Sequence, residues 1–449
     1  MCFKLFFKQV LVSACLLSLL LSACLPEQAD VISTATPLSL PTESLSTAMP
    51  SPGVPPLPTG MVEVVFVKDG NIQVWEEATQ QTRTIVNAGD VFSVTVSDDG
   101  QIIAFTRRSW VGDVLDGYEQ FALWAMDRDG GNPRELISAQ DLRQRINPSE
   151  RESSNFYQLG WVPQSHQLIF SGTKYIVQAE GLSHAIPQGV FLVDTDKGSV
   201  NMLAEAAENL RFLPSPDGKQ IALMSPSDVG FINVDGSHKR QDVLTYTEAG
   251  RTNPLFPTGV WTQDSSAFVM TGSFEKDPEF TTSFSIWRIP ADGASPEALA
   301  AVTRSHPGSV TFSPDGKSAS FVQWTDQQAG WFITPLIPGA GPLALPYYGK
   351  EDSYASLHWS PAGDAFTIKD QDLLQLCPNA TQDSQVCGEP IRLGSGIITA
   401  LQWVDPSRFL FEGIEPNTLS LGKLDGTITP IATWTENDRL SGWSFYILP

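Results

Sequence analysis

The sequence predicts an all-β protein, folded as a single β-propeller of four-stranded blades over residues 61–449. Three observations lead to this prediction: a strand–turn–strand motif that recurs along the chain, a second series of tight turns between its copies, and little helical periodicity. We expect eight blades, with seven as the alternative if one segment is an insertion. Each of these elements is justified in turn below.

The recurring motif is an apolar strand, a tight turn and a second apolar strand. Its clearest copies place the turn at Asp98-Asp99-Gly100, Ser215-Pro216-Asp217-Gly218-Lys219 and Ser313-Pro314-Asp315-Gly316-Lys317. Proline suits the second position of such a turn, aspartate bonds to the local backbone, and glycine accepts a positive φ. Weaker copies, which bring the number to seven, begin at Trp161, Trp261, Trp359 and Trp403.

The Ser-Pro-Asp-Gly-Lys element resembles the repeat of the TolB-type, WD-repeat-like β-propeller family. The resemblance covers nearly all of residues 61–449. It implies that each motif joins the innermost strand of a blade to the next strand. It specifies an architecture and no partner.

A second series of turns lies between the motifs and counts eight outer hairpins against seven inner ones. The inner strand that completes the series is expected at Gly442–Leu448, which aligns Trp443 with the tryptophans of the weaker copies. Residues 62–86 would supply three strands and this C-terminal segment the fourth. Such closure pairs both ends of the chain within one sheet and removes free strand edges.

The first 24 residues have the order of a secretory signal, with Lys4 and Lys8 before an apolar run and small residues after it. The run is too short to span a bilayer of roughly 30 Å. Its end, Leu21-Ser22-Ala23-Cys24, resembles the lipobox of bacterial lipoproteins, which implies that Cys24 is acylated and becomes the mature N-terminus. The alternative is an ordinary cleaved signal. We therefore expect an exported protein, held on the extracytoplasmic side of a membrane by a lipid.

Residues 25–60 are rich in Ser, Thr and Pro and lack the apolar content needed for a core. They are interpreted as an unfolded linker, with an average span of about 33 Å as a coil. The predicted domains are thus residues 1–24, 25–60 and 61–449.

The formal net charge is −22, which disfavours nucleic acids and anionic lipid heads as partners. Three of the five cysteines lie in the signal, and the remaining two are Cys377 and Cys387. A close pair in an exported chain predicts a disulfide, worth about 2–3 kcal/mol in the chain-entropy picture.

Long connections are predicted on one face of the propeller, opposite the tight turns, roughly at residues 107–119, 138–157, 172–189, 243–257 and 272–283. Long loops grouped on one rim are typical of binding surfaces, and arginine and aromatic residues are enriched at interfaces. The candidate binding residues are Arg107, Arg108, Trp110, Tyr118, Arg151, Tyr157, Tyr175 and Arg251.

A search for catalytic motifs yields no Gly-x-Ser-x-Gly and no His-Glu-x-x-His, and we expect no metal or cofactor. Asp127–Asn132 hints at a calcium loop but fits a hairpin turn better. The predicted function is a monomeric, non-enzymatic module that binds a protein or a glycan. The alternative is a polysaccharide-active lyase or hydrolase that uses carboxylates, whose spacing in the sequence does not exclude it.

Overall fold

The computed structural model describes residues 60–113, 117–148, 152–177, 183–205, 210–246, 257–276, 282–305, 309–324, 329–337, 342–345, 356–370, 373–378, 391–392, 398–414, 417–435 and 440–448. All of them belong to the second of two units of the chain, Val54–Pro449. Within these ranges the chain forms 32 strands and one helix. The predicted signal and linker lie outside them.

The elements follow one another along the chain with short connections. The strands of the first half are β1 (Val62–Lys68), β2 (Asn71–Glu76), β3 (Gln81–Val86), β4 (Val91–Val96), β5 (Ile102–Val111), β6 (Tyr118–Asp127), β7 (Arg134–Ile137), β8 (Ser153–Trp161), β9 (Gln167–Val177), β10 (Ser183–Asp194), β11 (Ser199–Ala204), β12 (Arg211–Pro214), β13 (Gln220–Met224), β14 (Asp228–Asn233) and β15 (Arg240–Thr245). The single helix of the described residues, α1 (Ala139–Ile146), stands between β7 and β8.

The second half contains only strands among its described residues. They are β16 (Gly259–Trp261), β17 (Ala267–Lys276), β18 (Thr282–Pro290), β19 (Glu297–Ser305), β20 (Thr311–Phe312), β21 (Ser318–Trp324), β22 (Ala329–Pro335), β23 (Leu343–Ala344), β24 (Ser356–Trp359), β25 (Ala365–Asp370), β26 (Leu373–Pro378), β27 (Ile391–Arg392), β28 (Ile398–Asp405), β29 (Arg408–Ile414), β30 (Asn417–Lys423), β31 (Ile428–Thr433) and β32 (Leu440–Ile447).

The strands pair in successive antiparallel sets of four, from β4–β7 to β28–β31, and one further set combines β32 with β1, β2 and β3. This confirms the predicted β-propeller class and its four-stranded repeat. Single bridges, Gln120 to Ser154 and Ser305 to Gln323, link two pairs of neighbouring sets. The described strands therefore form six hydrogen-bonded sheets, and the number of eight blades stays a prediction.

The core lies between neighbouring sets. One apolar cluster joins Ile169 and Leu192 of β9 and β10 to Leu223 and Ile232 of β13 and β14. Neighbouring sheets thus bury one another's faces, at roughly 25 cal/mol per Å² of apolar surface. A set in isolation would leave this surface in water, so each set depends on its neighbours.

The turn between the first and second strand of each set is held by a buried hydroxyl. Ser97 donates to Asp99 Oδ1 at 2.6 Å and accepts from the Ile102 amide at 3.0 Å, while its side chain is buried. The hydroxyl thus satisfies a strand amide that the turn would otherwise strand, which explains why the motif requires Ser as well as Asp-Gly. The same pair of bonds recurs at Ser215, Thr262, Ser313 and Ser360.

The recurring tryptophans connect the first strands of neighbouring sets. Trp161 Nε1 donates to Thr95 Oγ1 at 3.1 Å, and Trp261 Nε1 donates to the Leu213 carbonyl at 2.9 Å. Trp403 repeats this bond to the carbonyl of His358 at 2.9 Å. A buried indole N–H needs an acceptor, and here the preceding set supplies it.

The predicted closure is confirmed, because β32 pairs antiparallel with β1 from Val62–Ile447 to Lys68–Leu440. The Val96 amide of β4 also donates to Ser444 Oγ at 3.2 Å. The closing strand is therefore bonded to the set that contains β1 and to the set that follows it.

A polar cluster secures this closure from within. Glu63 on β1, with a side chain only 6% exposed, receives hydrogen bonds from Tyr446 on β32 and from Arg128 in the turn after β6. Arg128 Nε also donates to Tyr446 Oη at 2.6 Å, and its guanidinium lies 4.8 Å from the centre of that ring. Gly100 allows the ring to approach, since a Cβ there would lie 2.4 Å from Tyr446 Cδ2.

A second ion-pair cluster joins the last set to the first on the other side of the closure. Arg408, at the start of β29, pairs with Glu77 after β2 and lies 2.6 Å from Asp405 Oδ2. It also donates to the Gly60 carbonyl at 2.6 Å, and Glu77 accepts from the Val62 amide at 3.1 Å. The entry of the chain into β1 is thus fixed beside the turn between β28 and β29.

Deletion of residues 442–449 should open the ring and sharply reduce stability, because β1 and β4 lose their bonds to β32. Thermal unfolding followed by circular dichroism would measure this. Unchanged unfolding of the truncated protein would contradict the closure.

The milder Tyr446→Phe should cost about 1–3 kcal/mol, since Glu63 and Arg128 lose a buried partner. The matched control is Tyr157→Phe, because Tyr157 is exposed.

Candidate functional site

The propeller has two faces that differ in their connections. We call tight-turn face the side with the turns between first and second and between third and fourth strands, and long-loop face the opposite side. A cleft of about 790 Å³ opens on the long-loop face near the closure. It is lined by Asp69, Gly70, Gly89, Asp90, Val91, Phe92, Arg108, Ser109, Trp110, Glu119, Asn417, Trp434, Thr435, Leu440 and Ser441.

Asp90 forms part of the cleft wall and is fixed by Arg107. Arg107 Nε lies 3.1 and 3.0 Å from the two carboxylate oxygens of Asp90, and Nη2 lies 2.8 Å from Oδ2. The guanidinium also stacks 5.1 Å from the centre of Trp124. Such a fork-shaped pair holds a carboxylate in one orientation and balances its charge.

Arg108 and Glu119 form a second ion pair within the cleft. They face each other across β5 and β6, with Nη1 of Arg108 3.2 Å from Oε1 of Glu119. Arg108 also lies over the ring of Phe92, 5.4 Å from its centre. Both side chains are about half exposed, so the pair adds little stability. Its donors and acceptors remain accessible to a ligand.

Trp110 stands near the end of the β5–β6 hairpin with its side chain 53% exposed. Gly117, whose amide donates to the Asp113 carbonyl at 2.7 Å, lies directly against the indole. A Cβ on Gly117 would lie 2.4 Å from Trp110 Nε1, so only glycine admits this contact. The indole is therefore seated on the hairpin, and much of its surface faces solvent.

The opposite wall comes from the far end of the chain. Trp434 and Thr435 follow β31, Leu440 and Ser441 begin β32, and the Trp434 amide donates to the Asn417 carbonyl at 3.2 Å. The cleft thus combines residues from the first, second and last parts of the propeller. Only the closure brings them together.

The structure distributes the eight predicted binding residues over several places. Arg108 and Trp110 line the cleft, and Arg107 supports its wall through Asp90. Tyr118 lies elsewhere, with Arg143 of α1 4.3 Å from its ring centre, and Tyr157 is exposed on β8. Tyr175 belongs to β9, but its side chain is outside the described part of the chain, as are Arg151 and Arg251.

Most of the predicted long loops are wrong as loops. Residues 107–111 and 118–119 continue β5 and β6, residues 172–177 and 183–189 belong to β9 and β10, and residues 138–157 contain α1 and the start of β8. Neighbouring antiparallel strands keep satisfying each other's backbone groups beyond the core, so the hairpins extend. The candidate residues consequently stand on strands.

Sequence reasoning missed Asp69, Asp90, Phe92, Glu119 and Trp434 as site residues. Asp69 lies in an ordinary turn, and Trp434 lies more than 300 residues from Arg108 in the chain. No local pattern marks them. Only the predicted closure carried a signal that the two ends of the chain meet.

The predicted disulfide is not tested by the described residues. Cys377 is buried on β26 with 2% exposure, and Cys387 lies outside them. The predicted acylation site, Cys24, also lies outside them.

A second cleft, of about 570 Å³, lies on the tight-turn face around His166. The imidazole bridges two sets of strands: Nε2 lies 3.0 Å from Asp99 Oδ2, and Nδ1 lies 3.0 Å from Asp196 Oδ2. Both ring nitrogens donate only when the imidazole is protonated. The two carboxylates therefore favour the imidazolium.

Titration of this cluster follows from its contacts. The hydrogen bond with Asp99 raises the pKa of His166 despite partial burial, and Asp196 adds to the effect. Burial acts to raise the pKa of Asp99, but hydrogen bonds from Ser97, Gln101 and His166 lower it overall. Burial raises the pKa of the neighbouring Asp98, whose Oδ2 accepts from the Gln164 amide at 3.3 Å. Arg134 is the nearest cation, 3.8 Å from Asp196.

Among the described residues, no group of three or more His, Cys, Asp or Glu side chains is arranged to hold a metal ion. No helix in the same residues has the length and apolar character to cross a membrane.

Comparison with known proteins shows similarities of fold. No family model and no curated protein matches the chain. TolB from Acinetobacter baumannii is 15% identical, with 86% of this chain and 82% of that chain covered and a TM-score of 0.34. The β-propeller domain of the Trilobed protease from Pyrococcus furiosus is 12% identical, with coverages of 77% and 97% and a TM-score of 0.44.

An oligogalacturonate lyase in complex with manganese is 14% identical to this chain. The coverages are 67% of this chain and 79% of that chain, and the TM-score is 0.42. Chains that share so few residues are compared in fold alone.

His166→Gln should lower stability more at about pH 5.5 than at about pH 8.5. A raised pKa means that the contribution is complete below the ordinary value of 6.5 and is lost as the pH rises through the folded-state value. Thermal unfolding of both proteins at the two pH values measures the difference.

His358→Gln provides the opposite control. Burial lowers the pKa of His358 to about 4, so the wild-type residue weakens the fold as the pH falls below 6.5. This variant should therefore compare more favourably with wild type at the lower pH. Equal pH dependence of the two variants would contradict the assignment.

Proposed function

We propose that the protein is a non-enzymatic binding module that takes its ligand in the cleft of the long-loop face. The observation that carries this proposal is the seated, half-exposed Trp110 beside two fixed ion pairs in a concave site. Ligand sites in proteins are concave, contain aromatic surface and hold a few positioned polar groups. The cleft volume of about 790 Å³ falls within their usual range.

The ion pairs support binding over catalysis. Asp90 is held by Arg107 and Glu119 by Arg108, so two of the three carboxylates in the cleft serve as fixed partners of arginines. An enzyme that cleaves polysaccharides needs an acid or base free to exchange a proton with the substrate. The alternative, a lyase or hydrolase, would have to use these same carboxylates or Asp69.

We further propose that the module is exported and held to a membrane through acylated Cys24 and the linker 25–60. The order of charged, apolar and small residues before Cys24 supports the anchor. Gly60 enters the propeller beside Arg408, in the turn between β28 and β29, and thus on the tight-turn face. The cleft opens on the opposite face, so the proposed anchor leaves it accessible.

The binding role predicts that Trp110→Ala and Trp434→Ala each weaken retention of the ligand without altering its covalent structure. Immobilised protein is incubated with a cell-envelope fraction, and bound protein, bound sugar and fragment size are measured. Tyr157→Ala, an exposed aromatic outside the cleft lining, is the matched control and should retain wild-type binding. Fragmentation of a polysaccharide that one of Asp69→Asn, Asp90→Asn or Glu119→Gln abolishes would favour the enzyme instead.

The anchor predicts that Cys24→Ser removes the lipid and releases the protein from membranes. Intact-mass analysis of the mature protein and fractionation measure both effects. Cys15→Ser, which alters the weaker match Val12-Ser13-Ala14-Cys15, should leave acylation intact. Acylation that persists in Cys24→Ser would refute the assignment.

A further inference from the structure

We propose that the ligand of the cleft is an uncharged glycan segment, one sugar ring of which stacks on Trp110. This inference rests on the proposed function and specifies its ligand class. Three features support it: the way Trp110 is held, the charge balance of the cleft, and the shape of the cleft. Each is argued separately.

Trp110 has the properties of a stacking platform. Its indole lies against Gly117 on one side, and 53% of the side chain is exposed. An exposed tryptophan normally loses rotational freedom when it binds, and contact with the hairpin has already removed part of that freedom. The C–H bonds of a sugar ring pack well on the flat face of an aromatic ring, whose surface is electron-rich. Trp434 places a second ring in the same cleft.

The polar groups suit hydroxyls better than charges. Asp90 and Glu119 are each balanced by an arginine, at 2.8 Å and 3.2 Å. A negatively charged ligand would meet these two carboxylates and Asp69 on a chain with a net charge of −22. A cationic ligand would have to displace Arg107 or Arg108 from a pair. Sugar hydroxyls both donate and accept, so they can bond to carboxylates and guanidinium groups without breaking either pair.

The shape favours a chain of a few sugar rings over a folded protein. The cleft is concave and about 790 Å³ in volume, and its rings lie on separate walls. Stable protein interfaces bury about 800 Å² on each partner, mostly through broad contact. A narrow cleft between the β5–β6 hairpin and the start of β32 offers side walls to a slender ligand. We therefore place the glycan along the cleft, with Trp110 beneath one ring.

The test uses the full propeller with a glycan array that contains neutral hexose and pentose polymers together with uronate polymers. We expect neutral glycans to bind, and titration calorimetry with the best neutral oligosaccharide should show about tenfold or greater weakening in Trp110→Ala. Trp110→Phe should recover part of this loss, and Tyr157→Ala should bind as wild type.

Gly117→Ala tests the platform without removing the tryptophan. A Cβ at this position lies 2.4 Å from the indole and must displace it, so the affinity should fall severalfold. Gly330→Ala is the matched control, because its Cβ would make only an ordinary contact, 3.4 Å from Phe332. Unfolding curves confirm that both variants fold. Unchanged affinity in Gly117→Ala would overturn the stacking geometry.

Other outcomes separate the ligand class from the binding role. Binding of uronate polymers alone, or Trp110-dependent retention of a protein with no array glycan bound, would overturn the neutral glycan and leave the binding cleft in place. Ligand retention that is indifferent to Trp110→Ala and Trp434→Ala would overturn the proposed function itself.

Discussion

Ring closure is the constraint on which the rest of the molecule depends. A row of sheets buries one face of each member against the next, so an open row leaves two apolar faces and two strand edges in water. Pairing of β32 with β1 removes both ends at once. The cost of placing Glu63 in this interior is offset by Tyr446 and Arg128, one from the closing strand and one from the following set. The same closure brings Asp69, Trp110 and Trp434 to one cleft, so the fold and its candidate site have a common origin.

The repeat also solves a problem of buried polar groups. Each inner turn would leave a strand amide without a partner, and the hydroxyl of Ser97 and its equivalents accepts that bond. Each buried indole of the Trp161 type would lack an acceptor, and the neighbouring set provides one. Serine and tryptophan are therefore structural parts of the repeat. Their polar atoms are occupied by the fold, whereas Trp110 and Arg108, which lie outside the repeat, present their surfaces to the cleft.

Much of the fold follows from local chemistry and was predictable. Asp-Gly turns determine hairpins, the aligned Trp443 identified the missing inner strand, and both predictions are confirmed by β1–β32 pairing. The site was only partly predictable. Arg108 and Trp110 were found because they interrupt an acidic, repetitive chain, but Asp90 and Glu119 look like ordinary surface carboxylates in the sequence. Their importance lies in pairing with Arg107 and Arg108 in space. The loops were wrong because a hairpin that continues past the core has no distinct sequence pattern.

The position of Gly60 has a mechanical consequence for a protein held at one end. β1 runs from the entry point beside Arg408 to Asp69 at the cleft, a distance of roughly 20 Å at about 3.3 Å per residue. If a ligand is held in the cleft while the linker pulls at Gly60, tension runs along the strand. It then loads the hydrogen bonds of β1 to β2 and to β32 together, in shear, instead of opening them one after another. The strand that closes the ring is thus also the element best placed to bear a pulling force between anchor and ligand.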